Sequence, residues 1–268
     1  MKEYCLELIL TKNTVEGKYH LMREYLQAYI LKIMQEKKIL QNWIFVGGTA
    51  LRFIYHLPRY SEDLDFSLAK KKEFPFEDLM HKVHQELMLA GYSPEVVLKK
   101  VRTVRSAFFK FAGLMYEAGL SPLPGQKFAV KLELDSNPPQ GAQLVTQTVH
   151  KFFPLTFLCY DLSSFLTGKL SAILSRKYTK GRDFYDLGWY LTRYPEMAPN
   201  IPFLQSALRQ MEWKGPYPEE HNWREFVYDK VNKTDWEKVN KDVKEFLDNP
   251  KEMEVFTKEN VLKLIKGE

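Results

Sequence analysis

The stretch Trp43 to Leu68, WIFVGGTALRFIYHLPRYSEDLDFSL, constrains the fold more tightly than any other part of the chain. Trp43-Ile44-Phe45-Val46 has the length and composition of a buried strand. Gly47 and Gly48 carry no Cβ, so the backbone there can turn tightly and approach a ligand closely. Thr49 is placed to cap a helix over Ala50 to His56, where Leu51, Ile54 and Tyr55 recur at helical spacing. Polar and apolar residues then alternate from Ser61 to Phe66. On a strand, Ser61, Asp63 and Asp65 share one face while Leu64 and Phe66 share the other. The Cα atoms of Asp63 and Asp65 would lie about 6.6 Å apart.

Two carboxylates on one strand face, beside a glycine turn that exposes backbone N–H groups, suit a divalent cation and a triphosphate. Taken singly, Gly-Gly is an ordinary tight turn and Asp-x-Asp an ordinary solvated strand end. The order strand, Gly-Gly-Thr, helix, Ser-x-Asp-x-Asp strand is the informative feature.

That order resembles the DNA polymerase β-like nucleotidyltransferase superfamily. The fuller string GGTALRFIYHLPRYSEDLDF is more specifically similar to the AbiEii-type nucleotidyltransferases, toxin halves of type IV toxin–antitoxin systems that include the MenT toxins. The resemblance implies that Gly47, Gly48, Thr49 and Ser61 hold nucleotide phosphates and that Asp63 and Asp65 bind Mg²⁺ or Mn²⁺. The gap to Asp63 is at the long end of the superfamily spacing, which leaves open which of Gly47, Gly48 and Thr49 takes the second position of the turn motif.

Two later segments carry the likeness further. Gly168-Lys169-Leu170-Ser171-Ala172 and Arg182-Asp183-Phe184-Tyr185-Asp186-Leu187 are similar to the family's remaining motifs. The resemblance implies that Lys169 contacts the triphosphate, that Arg182 assists in nucleotide binding and that Asp183 completes the catalytic constellation. Asp186 lies one helical turn beyond Asp183, so either could face the cleft. The superfamily commonly adds a third carboxylate on a strand beside the Asp-x-Asp strand. Lys127 to Asp135, KFAVKLELD, alternates cleanly and places Glu133 and Asp135 on one polar face. Glu133 is the first choice for a metal ligand, with Asp135 the alternative.

Composition sets the outer bounds. At 45% hydrophobic and 14% aromatic residues, the 268-residue chain can build a substantial core, which excludes global disorder. A net charge of +5 permits a polyanionic partner without demanding one. Two cysteines, Cys5 and Cys159, make neither a metal cluster nor a disulfide framework, which favours a reducing cytoplasm. The start of the chain shows no signal-peptide pattern, and no apolar run approaches the roughly 20 residues that span a bilayer.

Elsewhere, residues 15–38 form an amphipathic helix by pattern, with Tyr19, Met22, Leu26, Ile30 and Ile33 on its apolar stripe. Lys70-Lys71-Lys72 is a solvated turn or a phosphate contact. Glu77 to Ala90 is helical and Gly91 ends it. Strand character runs from Glu95 to Leu155, including Val101 to Met115 and Val145 to Phe153. Lys99, Lys100, Arg102 and Arg105 form a basic cluster suited to a phosphate backbone or to solvent. Past Pro154 the pattern turns helical, with Asp161 or Ser163 as a cap before Leu166, Leu170, Ile173 and Leu174. Gly181 breaks that helix, Arg182 to Thr192 forms the next, and further helices are expected near 203–211, 219–231, 235–247 and 257–265.

The expected fold is therefore α/β (α+β): a nucleotidyltransferase core over 1–155 with a mixed sheet flanked by helices, then a helical C-terminal domain over 156–268, with the nucleotide cleft between them. The expected activity moves a nucleoside monophosphate from an NTP to an acceptor. The resemblance implies RNA, particularly a tRNA 3′ end, or protein as acceptor, and a cognate antitoxin as partner. Two other outcomes fit the same residues: a non-catalytic nucleotide- or partner-binding module, and a GTP-dependent phosphotransferase acting on protein.

Overall fold

The computed structural model describes residues 1–70 and 74–268. Helices α1 (Lys2–Ile9) and α2 (Val15–Glu36) come first, followed by strand β1 (Trp43–Val46), helix α3 (Gly47–Tyr55) and strand β2 (Asp63–Leu68). After helix α4 (Phe76–Leu89) come β3 (Pro94–Val101), β4 (Val104–Ala112), the single turn α5 (Leu114–Glu117), β5 (Lys127–Asp135), β6 (Leu144–His150) and β7 (Pro154–Tyr160). The rest is helical: α6 (Leu162–Ser175), α7 (Gly181–Arg193), α8 (Ile201–Gln210), α9 (Trp223–Lys233), α10 (Trp236–Lys244), α11 (Glu252–Val255) and α12 (Lys258–Lys266).

The strands make one mixed sheet in the order β3-β4-β5-β2-β1-β7-β6. β2 is central, antiparallel to β1 and parallel to β5, so the strand carrying Asp63 and Asp65 is paired on both edges. Its Leu64 and Phe66 are buried, while Asp63 and Asp65 lie on the opposite, half-buried face. Lys127–Asp135 forms β5 over the expected span, with Phe128, Val130, Leu132 and Leu134 all buried.

Helix α2 follows the expected span closely and starts at a Thr14 cap that accepts from the Gly17 N–H. Met22, Leu26, Ile30 and Ile33 are buried. The polar residues Arg23, Glu24 and Gln27 are buried too, beyond what an amphipathic stripe implies. Gln27 shows why: its amide donates to the carbonyls of Ser61 (3.0 Å) and Glu62 (2.9 Å), fixing the chain as it enters β2. A buried carbonyl left without a donor would be costly, so this glutamine stabilises the approach to the aspartates.

The chain separates into two compact units, the first Met1–Tyr55, Tyr60–Pro138 and Thr146–Cys159, the second His56–Arg59, Pro139–Val145 and Tyr160–Glu268. The first holds the sheet; the second is built on α6 to α12. In the second, Asp161 is the cap of α6, accepting from the Ser164 N–H, and Leu166, Leu170, Ile173 and Leu174 are buried as the pattern implies.

Several local expectations need correction. Residues 154–160 are a strand rather than the start of the helical region, and β7 pairs in parallel with β1 at Ile44↔Leu158 and Phe45↔Cys159. Pro154 is tolerated because it opens the strand, where a missing N–H breaks no ladder bond. Leu155, Phe157 and Cys159 alternate into the core, a period-two signal present in the sequence. β2 begins at Asp63, not Ser61. β6 ends at His150, short of Phe153.

Candidate active site

The first constellation is built where β1 turns into α3. Val46 pairs with Asp65 across the β1–β2 ladder, so the next residue, Gly47, comes against the aspartate. Gly47 has φ +79°, and a Cβ there would meet Asp65 Oδ2 at 2.3 Å and Asp65 Cβ at 3.0 Å. Glycine is required twice over, by the left-handed backbone and by the neighbour. Thr49 does not cap the helix: α3 already begins at Gly47, and the fully buried Thr49 hydroxyl donates to the Asp63 carbonyl at 2.5 Å. The threonine thereby ties α3 to the strand that carries the aspartates.

The β2–β5 register sets the surroundings of the acids. Asp63 pairs with Lys131, Asp65 with Glu133 and Ser67 with Asp135, and aligned residues of parallel strands share a face. Glu133 is thus the carboxylate beside Asp65. Asp135 sits beside Ser67 and accepts from the Asn137 N–H at 2.9 Å, closing the strand end. Glu133 Oε1 receives Lys131 Nζ at 2.8 Å and the Ser106 hydroxyl of β4 at 3.1 Å. Burial alone would pull the Lys131 ammonium down, but Glu133, Asp63 and Asp65 hold it above the ordinary lysine range.

Among the described residues, no group of three or more His, Cys, Asp and Glu is arranged to hold a metal ion. The donor chemistry of Asp63 and Asp65, carboxylate oxygens only, fits a hard cation such as Mg²⁺ or Mn²⁺ as an adjacent pair. Glu133 joins such a set only by exchanging its ion pair with Lys131.

The second constellation lies in the second unit, on α6 and α7. Lys169 Nζ reaches Asp183 Oδ1 at 3.1 Å and Asp186 Oδ2 at 2.6 Å. Asp183 is also paired with Arg176, and Asp186 is gripped by Arg59 through two bonds of 2.6 Å, Nε to Oδ1 and Nη2 to Oδ2. Arg59 and Asp186 are 2% and 0% exposed, a fully desolvated bidentate pair. Burial acts against the Arg59 charge, yet Asp186 outweighs it and holds the guanidinium above its ordinary range. Burial likewise raises Asp183, but Lys169, Arg176 and Lys180 outweigh it and hold the carboxyl below its ordinary value.

These contacts separate the two candidate aspartates: Asp186 is consumed by Arg59 and Lys169, whereas Asp183 borders a cavity of about 380 Å³. Arg182, expected at the nucleotide, lies with its guanidinium 4.0 Å over the Phe246 ring and with Nε 3.7 Å from Asp242, whose carboxylate also accepts the Arg182 N–H. Gly181 starts α7 where a Cβ would strike the Val239 carbonyl at 2.2 Å, so this glycine seats α7 against α10.

Sequence reasoning missed Arg59, Arg176 and the Glu24–Arg52–Lys151 cluster. Glu24 accepts from both Arg52 and Lys151, with Lys151 at 2.6 Å, and the Arg52 guanidinium lies 4.1 Å from the Tyr60 ring centre. An isolated arginine in a loop gives no periodic signal; the Arg59 partner Asp186 lies 127 residues on, and the Arg176 partner Asp183 lies across the break between two helices. The basic cluster sits on the β3–β4 hairpin, where Arg105 pairs with Glu77 of α4 at 3.0 Å. Lys71 and Lys72 of the lysine run lie outside the described residues.

A mixed sheet whose central strand presents paired aspartates beside a glycine corner, followed by a helical unit, defines the protein as a nucleotidyltransferase. The family model described as "Nucleotidyl transferase AbiEii toxin, Type IV TA system" matches residues 30–258, and the chain belongs to that family. Membership brings an NTP substrate, a divalent metal and an antitoxin as family traits. No match was found among curated proteins. The fold is similar to MenT4, a nucleotidyltransferase toxin of Mycobacterium tuberculosis H37Rv (TM-score 0.52, 16% identity, 99% of both chains), and to JHP933 from Helicobacter pylori (TM-score 0.51, 18% identity, 92% of this chain and 89% of that one).

Proposed function

We propose that this chain transfers a nucleoside monophosphate from an NTP to an RNA acceptor, a tRNA 3′ end, in a Mg²⁺-dependent reaction. The acceptor hydroxyl loses its proton to solvent as its oxygen forms a bond to the α-phosphorus, the bond from that phosphorus to the β-phosphate bridging oxygen breaks, and pyrophosphate leaves. The observation that carries this reading is the placement of Asp63 and Asp65 on one face of a central strand, with Gly47 backbone packed directly against Asp65. Bound Mg²⁺ would neutralise phosphate charge and orient the in-line displacement. Asp63 and Asp65 would hold it, with Glu133 as third carboxylate once Lys131 is displaced.

The chain's own residues supply the rest. Backbone N–H groups of the Gly47-Gly48-Thr49 turn and the Ser61 hydroxyl bind phosphate oxygens. Lys169 has three ammonium donors; Asp183 and Asp186 take two, and the third serves the triphosphate. A carboxyl held below its ordinary range is a poor proton acceptor at neutral pH, so Asp183 acts by orienting Lys169 and not as a base. Arg182 assists nucleotide binding only after leaving Asp242.

The acceptor assignment draws on the net positive charge of +5, and a protein acceptor is the outcome to be excluded. Both cysteines are buried thiols and no disulfide occurs among the described residues, which supports a cytoplasmic setting. Among the described residues no helix is long and apolar enough to cross a membrane. The test is incubation with each α-³²P-labelled NTP, Mg²⁺ and either total RNA or total protein. Label in the tRNA band is expected; label only in protein would move the acceptor, and transfer only from γ-³²P-NTP would replace nucleotidyl transfer with phosphotransfer.

A further inference from the structure

The cavity of about 380 Å³ beside Asp183 is formed wholly within the second unit, by the α6–α7 loop and the end of α9. Five cations line it: Arg176, Lys177 and Lys180 from the loop, Lys230 and Lys233 from α9. Its carboxylates are already neutralised, Asp183 by Lys169 and Arg176, and Asp235 by Lys238 at 3.1 Å. Lys233 in turn lies 4.0 Å from Asp229, so the excess positive charge of the cavity rests on Lys177, Lys180 and Lys230. Gathering like charges in one concavity opposes folding unless an anion is met there. Burial, with Lys169, Arg182 and Arg176 adding to it, already depresses the Lys180 ammonium.

Two further features narrow the anion. The cations are graded, from half-buried Arg176, Lys180 and Lys230 to exposed Lys177 and Lys233 at the rim, which suits a chain of phosphates better than one compact ion. Tyr178 stands in the middle of the same loop, 68% exposed, with the Arg176 guanidinium 5.8 Å from its ring centre. An exposed ring amid cations is the arrangement on which an unpaired base stacks while its backbone follows the charge.

We propose that this cavity is a binding site for single-stranded RNA, in which Lys230, Lys233 and Lys177 meet backbone phosphates and Tyr178 stacks a base. The inference extends the RNA-acceptor reading, yet it concerns binding and needs no turnover. A fluorescein-labelled unstructured RNA 12-mer is titrated with the full chain, without NTP, and anisotropy is followed across a salt series. Lys230→Glu with Lys233→Glu should weaken binding by at least tenfold and lower the slope of log K against log salt by about 1.4, at roughly 0.7 per single-strand phosphate contact. Tyr178→Ala should weaken it by roughly 5- to 150-fold with the slope unchanged. Circular dichroism and melting of each variant confirm folding, since all three side chains are at or near the surface.

Unchanged affinity and slope in folded variants would overturn the proposal. So would complete displacement of the RNA by an equal concentration of a single mononucleotide, which would make the cavity a small-molecule site. Failure of nucleotidyl transfer in the labelling assay, with the binding pattern intact, would remove the catalytic reading and leave the RNA site standing.

Discussion

The Asp65 carboxylate fills the space that a side chain on Gly47 would need, with Oδ2 only 2.3 Å from the position of a Cβ. The glycine of the turn and the aspartate of the strand are thus one packing unit. Gly47→Ala combines a left-handed backbone with this clash. It should cost about 1–3 kcal/mol in stability for the backbone conformation alone and displace Asp65. Urea unfolding and NTP turnover should both fall in the variant. Full activity at wild-type stability would break the link between corner and carboxylate.

The Arg59–Asp186 pair makes a prediction about stability. Removing Arg59 takes the bidentate pair from buried Asp186 and leaves it Lys169, so Arg59→Ala should be destabilising, up to about 3–5 kcal/mol. Arg59→Met combined with Asp186→Leu should recover much of it, because no unpaired charge remains. Equal losses in the single and double variants, measured by denaturant unfolding, would show that the pair matters by shape and not by charge.

Asp183 supplies the pH dependence. Its folded-state value lies below the ordinary 3.8, so the stability it contributes is present above that pH and is lost as pH falls through the lower folded value. The melting difference between wild type and Asp183→Asn should be constant from pH 7 to 5 and shrink below 3.8. A gap that widens on acidification would contradict the assigned charge state.

Membership of a toxin family predicts an effect on cells. If the acceptor is the proposed tRNA 3′ end, its blockage stops aminoacylation, and induced expression should arrest growth while Asp63→Asn does not. Arrest by both proteins would indicate sequestration without catalysis. Arrest by wild type alone, with unmodified tRNA ends, would retain the enzyme and exclude the tRNA acceptor.

Much of this was legible before any coordinates. The β1–α3–β2 corner and the β5 alternation are local patterns, and local patterns set side-chain faces directly. The Glu133 neighbour of Asp65 followed only once the β2–β5 register was known, because register is a long-range property. Thr49 misled because its residue type favours a cap, whereas its hydroxyl is taken by a carbonyl fourteen residues on. β7 was lost behind Pro154, whose breaker signal outweighed the alternation of Leu155, Phe157 and Cys159. Arg59 gave no signal, since an ion pair with a residue 127 positions on leaves no period in a sequence, and Arg176 gave none because it sits in the loop between two helices.

The most direct test of the paired-aspartate site is pyrophosphate release, measured with NTP, Mg²⁺ and total RNA for wild type and for Asp63→Asn and Asp65→Asn. Each substitution keeps shape and removes one charge. Wild type should release one pyrophosphate for each nucleotide joined to the acceptor, and either variant should be slower by roughly 10²-fold or more while circular dichroism still reports the folded chain. Wild-type release rates in either folded variant would contradict the site.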